Sequence, residues 1–172
     1  MARFLFASMP SAGHTNPLRP IARALTGAGH TVDWYCAEPF RTAIEATGAT
    51  FTPAPPGLGD LPAGREGLTG LDGIRFDLKH LFLDPVPQQV DDLTRLLTRL
   101  RPDALIADMG LVGASAVHEL TGIDWISVGI SPLPLPSRDT APFGTALPPF
   151  TEFTTPPMST GRKNPAKSYT TE

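Results

Sequence analysis

Ser11-Ala12-Gly13-His14-Thr15-Asn16-Pro17 follows closely on the apolar run 4–7, Phe-Leu-Phe-Ala. A short strand ends, a glycine-containing loop follows, and a histidine stands where a helix begins. That order puts an imidazole at the carboxyl edge of a sheet, the place where open α/β folds bind ligands. The helix that starts there presents its positive dipole end at or near His14, and a neutral imidazole is the form a general base needs.

Working outward, the pattern alternates strand and helix. Residues 3–8 read as a first strand. Leu18, Ile21, Ala22, Leu25 and Ala28 recur at helical spacing over residues 15–28, with Arg19, Arg23 and Thr26 off that face. Pro17 and Pro20 are tolerated because they fall near the first turn, and Gly29 ends the helix. Residues 31–36 form a second strand, 39–47 a short helix closed by Gly48, and 49–52 a third strand. From 53 to 73 four prolines and six glycines, from Pro53 to Gly73, dissolve the pattern into a long loop, expected to be functional or disordered. Residues 74–83 read as a short helix. Pro85 opens a longer one with Val86, Val90, Leu93, Leu97 and Leu100 on one face and Asp91, Asp92, Arg95 and Arg99 off it. Residues 104–107 form a fourth strand ending at Asp108, 112–121 a helix stopped by Gly122, and 125–128 a fifth strand. Strands separated by helices imply right-handed crossovers and a doubly wound, Rossmann-like parallel sheet. Their near-continuous apolar character implies burial on both faces.

Composition narrows the function classes. The 172 residues suffice for one domain with a real core. A net charge of −3 and pI of about 5.8 give no basic footprint for nucleic acid. A single cysteine, Cys36, leaves no internal disulfide and no cysteine-based metal site; its place at the end of a strand predicts a buried, inert thiol. The apolar run at 4–7 is too short for a signal-peptide core, and no stretch approaches the ~20 apolar residues of a membrane span. A cytoplasmic protein is expected. After Leu147 the sequence loses Leu, Ile and Val altogether, so 150–172 is expected to be a disordered or aberrant tail.

Because parallel strands share one carboxyl edge, His14 past the first strand and Asp108 at the end of the fourth can meet in one crevice. A carboxylate beside an imidazole fixes its tautomer and stabilises the imidazolium formed on proton uptake. The two are therefore a candidate base-and-orienter pair; the competing reading makes His14 a helix-start residue and Asp108 a helix cap. His30 reads as a turn residue, and His80 and His118 as structural or surface residues without carboxylates at metal spacing. Trp34 and Trp125 read as core, and Arg95, Arg99 and Arg101 as a solvated helix face.

The stretch 11–17 with Leu18, Pro20, Ala22, Ala24 and Leu25, then Gly29-His30-Thr31-Val32, resembles the amino-terminal half of GT-B glycosyltransferases. The likeness is to bacterial macrolide and other natural-product enzymes, relatives of the UDP-glycosyltransferases. Pro102-Asp103-Ala104-Leu105-Ile106-Ala107-Asp108, Gly122-Ile123-Asp124-Trp125-Ile126-Ser127-Val128 and Ser131-Pro132 extend the resemblance, which runs over residues 3–149. It implies an acceptor-binding, Rossmann-like domain over 1–149. It also implies inverting transfer of a hexosyl group from a nucleotide-sugar co-substrate to a hydroxyl of a small natural product, as in antibiotic biosynthesis, with no metal and no further cofactor. By the resemblance His14 matches the histidine that deprotonates the acceptor and Asp108 the aspartate that holds it. Phe76, Leu81, Phe82, Leu83, Met109 and Leu111 are candidate acceptor-pocket residues, with core packing as the alternative. Ser11 and Gly13 are candidates for presenting amides to the donor phosphates, with a tight turn as the alternative.

Such enzymes carry a second domain that grips the nucleotide-sugar, and nothing in this sequence matches its motif. The expectation is an incomplete half, inactive alone, arising as a truncated or frame-shifted product, as one chain of a split assembly, or as a natural acceptor-binding module. Apolar surface facing the missing half would favour a partner chain or self-association. The rival function is a non-catalytic small-molecule-binding or interaction module. A dinucleotide oxidoreductase is disfavoured because the first loop has only Gly13 in place of a Gly-x-Gly-x-x-Gly pattern.

Overall fold

The computed structural model describes residues 1–131. The expected domain limit at 149, the tail 150–172 and Pro132 lie outside the described residues.

Five strands, β1 (Arg3–Ala7), β2 (Thr31–Cys36), β3 (Thr50–Pro53), β4 (Ala104–Asp108) and β5 (Asp124–Val128), form one sheet in the order β3-β2-β1-β4-β5. All four pairings are parallel. The doubly wound architecture read from the sequence is the one observed. Strand β1 is central: Ala7 lies opposite Tyr35 on one side and Ala107 on the other. The chain leaves β1 toward β2 and returns on the opposite side of β1 as β4, so the topological switch point lies between the carboxyl ends of β1 and β4.

Period-two alternation sends neighbouring residues of each strand to opposite faces. Among the described residues both faces are covered over β1, β2 and β4, whereas the edge strand β5, expected to be buried, leaves Ile126 52% exposed and Trp125 and Val128 half-buried. Leu5, Ala7, Tyr35, Leu105 and Ala107 pack with Leu93 and Leu96 of α5 (Val86–Leu100) and Ala114 and Val117 of α6 (Gly113–Thr121). Phe6, Val32, Trp34, Cys36 and Ile106 pack with Leu18, with Ala22 of α2 (Arg19–Gly27) and with Ile44 of α3 (Arg41–Glu45). A buried Leu or Phe contributes about 1.5–3 kcal/mol relative to an exposed one. Such packing, rather than intrinsic propensity, holds helices as short as α3.

The first helical path begins earlier than the periodicity suggests. Ala12–Thr15 already form the turn α1, Asn16–Leu18 tighten into a 3-10 turn carrying Pro17, and α2 follows. The apolar spacing starts only at Leu18 because α1 lies at the sheet edge, where Ala12 and Gly13 are exposed. A second boundary also moves. Helix α4 (Gly70–Asp77) starts within the stretch assigned to loop and continues as a π-helical turn, Leu78–Leu83. Gly73 sits in this helix at a tight spot: a Cβ there would lie 3.2 Å from the Arg65 guanidinium and 3.3 Å from the Leu68 carbonyl. Arg65 itself donates to Asp77 at 2.6 and 3.0 Å, closing the loop onto α4.

The glycine- and proline-rich segment is anchored in the core. Leu58 is buried in the α5 face of the sheet with Met9. Gly59, at φ +83°, passes so close to Pro10 that a Cβ would stand 2.4 Å from its Cγ.

One placement on α5 is corrected. Asp92, assigned to the solvent side, is buried and accepts hydrogen bonds from the Tyr35 hydroxyl at 2.9 Å, from Gln88 at 3.0 Å and from Arg95. An inward carboxylate is tolerated because these donors replace its water shell. The Tyr35 phenol is pushed up by burial and by the Asp92 hydrogen bond. No helix among the described residues is long and apolar enough to cross a membrane.

Gly59→Ala is expected to lower stability by more than the ~1–2 kcal/mol that left-handed backbone costs an L-residue, since the new methyl also meets Pro10. Urea melts of the two proteins measure this, and equal midpoints would show that the loop does not rest on Pro10.

Candidate active site at the sheet edge

The site is built by two loops that leave adjacent strands. After β1, the Ser11 amide donates to the Met9 carbonyl at 2.9 Å, and the Ser11 carbonyl accepts from His14 at 3.1 Å and Thr15 at 2.9 Å. This winds the chain into α1 immediately above the sheet. Thr15 is buried, and its hydroxyl donates to the Met9 carbonyl at 3.2 Å. The Ser8 hydroxyl lies 3.4 Å from that of Thr15 and accepts from the Trp34 indole at 3.0 Å. The turn carrying His14 is thus tied to the floor of the sheet through its neighbour.

Asp108 ends β4 with its side chain fully buried, at 0% exposure. One carboxylate oxygen accepts from the Met9 amide at 2.6 Å. The other accepts from the Gly110 amide at 2.7 Å and lies 2.6 Å from His14 Nδ1. Backbone amides on both oxygens are what permit an ionised carboxylate to stay buried. An ionised carboxylate accepts only, so the imidazole proton is held on Nδ1 and the lone pair is left on Nε2. His14 keeps 21% of its side chain exposed, enough for a ligand to reach the ring. The pair spaced 94 residues apart in sequence meets at the switch point, as the strand order requires.

The other candidates divide. Phe82, carried on the π-helical turn, has its ring centroid 6.4 Å from that of His14. Met109, next to Asp108, is 37% exposed. Leu83 is exposed and Leu81 half-buried. Phe76 instead packs on His80, ring centroids 4.3 Å apart. Leu111 is buried in the α5–α6 core and presents no surface to a ligand. Ser11 and Gly13 are exposed, and a Cβ on Gly13 would meet nothing within 4 Å, so neither space nor a positive φ demands glycine there.

Sequence reasoning missed the partner of His80. Its Nδ1 lies 2.6 Å from Asp84, which also holds Lys79 at 2.7 Å; the four-residue spacing was the available signal. His30 accepts from the Ala2 amide and His118 reaches the Ile123 carbonyl, both as structural ties. Trp34 is core, as read. Arg95 and Arg99 line an open cavity of about 380 Å³ with Tyr35, Thr52, Pro53, Asp92 and Leu96. It shares no residue with the His14–Asp108 pair, and Asp92 already engages Arg95, so the convergent chemistry lies at the switch point.

Cys36 is buried where the sequence placed it. Burial pushes its thiol up, hydrogen bonds with Ser8 and Thr15 pull part of the way back, and the charge of Asp108 adds a little to the rise. A thiol-specific reagent at neutral pH is accordingly expected to react slowly with the native chain and to release one thiol per chain rapidly in urea. Rapid native labelling would contradict this packing.

The chain is 37% identical over 155 residues to 4'-demethylrebeccamycin synthase of Lentzea aerocolonigenes, a match over 86% of this chain and 37% of that protein. It is 30% identical over 168 residues to UDP-glycosyltransferase 2 of Phaeomoniella chlamydospora, over 84% of this chain and 35% of that protein. Among solved structures, the kitacinnamycin glycotransferase superposes with a TM-score of 0.62 at 25% identity, over 76% of this chain and 30% of the other. No family model matches. The chain spans little over a third of the length of the relatives it matches.

Proposed function

We propose, for a chain that is homologous to the GT-B glycosyltransferases and matches the Rossmann-like amino-terminal half of their fold, that it supplies the acceptor side and the general base of an inverting hexosyl transfer. The donor is a nucleotide-sugar and the acceptor a hydroxyl of a small natural product. The observation that carries this reading is the 2.6 Å contact between His14 Nδ1 and the buried Asp108 carboxylate at the switch point.

The step follows from that contact. His14 Nε2 accepts the acceptor's hydroxyl proton as its oxygen attacks the anomeric carbon. The new C–O bond forms on the face opposite the leaving group, the bond from carbon to phosphate oxygen breaks, and the nucleoside diphosphate departs with the electron pair. Asp108 holds Nδ1–H and balances the imidazolium that forms. One proton moves and one bond is exchanged, a step that draws on no metal or redox cofactor. Phe82, whose ring lies 6.4 Å from that of His14, and the exposed Met109 are assigned to the acceptor side. The open space over Gly13 leaves room for a group approaching the α1 turn, and Ser11 and Gly13 are assigned to the donor-phosphate side. We assign the acceptor domain to residues 1–149 and the protein to the cytoplasm.

The test is a chimera in which this chain replaces the corresponding part of the Lentzea relative. Nucleotide-sugar turnover is measured with the chimera and its variants. His14→Ala is expected to lower kcat by about 100- to 10,000-fold, the usual worth of a positioned general base, and Asp108→Asn to lower it comparably. A folded chimera that binds acceptor and transfers sugar equally well without His14 would remove the catalytic reading. One that binds acceptor yet never turns over would favour a binding module.

A further inference from the structure

Gly110 stands two residues past Asp108 and is buried. Its φ lies outside the left-handed region, unlike that of eight other glycines of the described chain. The backbone at this position therefore does not call for glycine. Space does: a Cβ at Gly110 would stand 2.5 Å from His14 Cε1, 2.8 Å from His14 Nδ1 and 2.9 Å from Asp108 Oδ1. Every one of these atoms belongs to the candidate pair. The Gly110 amide meanwhile donates to Asp108 Oδ1 at 2.7 Å, the same oxygen that holds His14 Nδ1.

We infer that Gly110 is a positioning residue for His14: its amide aims the Asp108 oxygen and its missing side chain is the space that the imidazole edge occupies. The inference rests on the proposed function for its catalytic meaning and on geometry alone for the positioning. Two neighbouring bonds hold the backbone where the clash would occur. The Leu111 amide donates to the Asp108 carbonyl at 3.1 Å and the Val112 amide to the Gly110 carbonyl at 3.1 Å. With the turn closed on both sides of Gly110, an added methyl displaces the ring rather than the chain. Contacts below 3 Å with an imidazole pinned at 2.6 Å leave no room for a shared position.

A double-mutant cycle tests this on the chain as it stands. Gly110→Ala is expected to lower the melting temperature by several degrees in the wild-type background and by much less in a His14→Ala background, where the two shortest contacts are gone. An equal loss in both backgrounds, or failure of both Gly110→Ala proteins to fold, would mean that the turn itself requires glycine and would overturn the inference. The second readout is the imidazole Nδ1–H resonance of His14 in NMR spectra. It is expected to shift or vanish in Gly110→Ala as in Asp108→Asn, and an unchanged resonance would overturn the inference. Neither readout depends on sugar transfer. In the chimera, a displaced His14 resonance with undiminished kcat would uphold the positioning and count against His14 as the base, so the two readings fail separately.

Discussion

Everything in this structure depends on β1 being paired on both sides by parallel neighbours. A parallel neighbour cannot be reached by a tight turn, so each departure from a strand must cross a face of the sheet and come back to the opposite edge. The loops that follow strands therefore collect at one edge. Because the chain leaves β1 toward β2 and leaves β4 toward β5, the loops after β1 and β4 diverge and open a crevice between them. His14 and Asp108 are adjacent for that reason, and their hydrogen bond is a product of strand order before it is a feature of chemistry.

The sheet edge needs more than topology to hold a buried carboxylate. The amides of Met9 and Gly110 reach Asp108 from both loops. The hydroxyls of Ser8 and Thr15 and the indole of Trp34 tie α1 down from the other face. Each polar group taken from water is matched by another, which is the condition for polar atoms to persist in a low-dielectric site. The result is a rigid imidazole presented by a turn only four residues long, a length that could not stand on helix propensity alone.

The inner strands β1, β2 and β4 were legible because burial on both faces writes them as largely apolar runs; β2 matches its sequence limits residue for residue. The pairing of His14 with Asp108 was legible because a parallel sheet has one carboxyl edge. What was not legible depended on single tertiary contacts. Glycines 70 and 73 look like loop residues, yet both lie in α4, where Gly73 fits closely against Arg65 and the Leu68 carbonyl. Asp92 looks like a surface residue, yet Tyr35, Gln88 and Arg95 reach it. Leu111 beside Asp108 looks like a pocket residue, yet the turn after β4 sends it into the core. Periodicity carries no information about a partner that arrives from a distant part of the chain.

The clamps at either end of the glycine- and proline-rich segment have a consequence for how this fold can diversify. Leu58 and Gly59 fix one end against Met9 and Pro10, and Arg65 fixes the other through Asp77. Residues 60–64 between them are exposed. The entropy of a closed loop rises only slowly with its length, so insertions in that interval would leave both anchors in place. Variation there falls between the two clamps rather than on the His14–Asp108 contact, and the architecture separates the part of the edge that can drift from the part that must stay put.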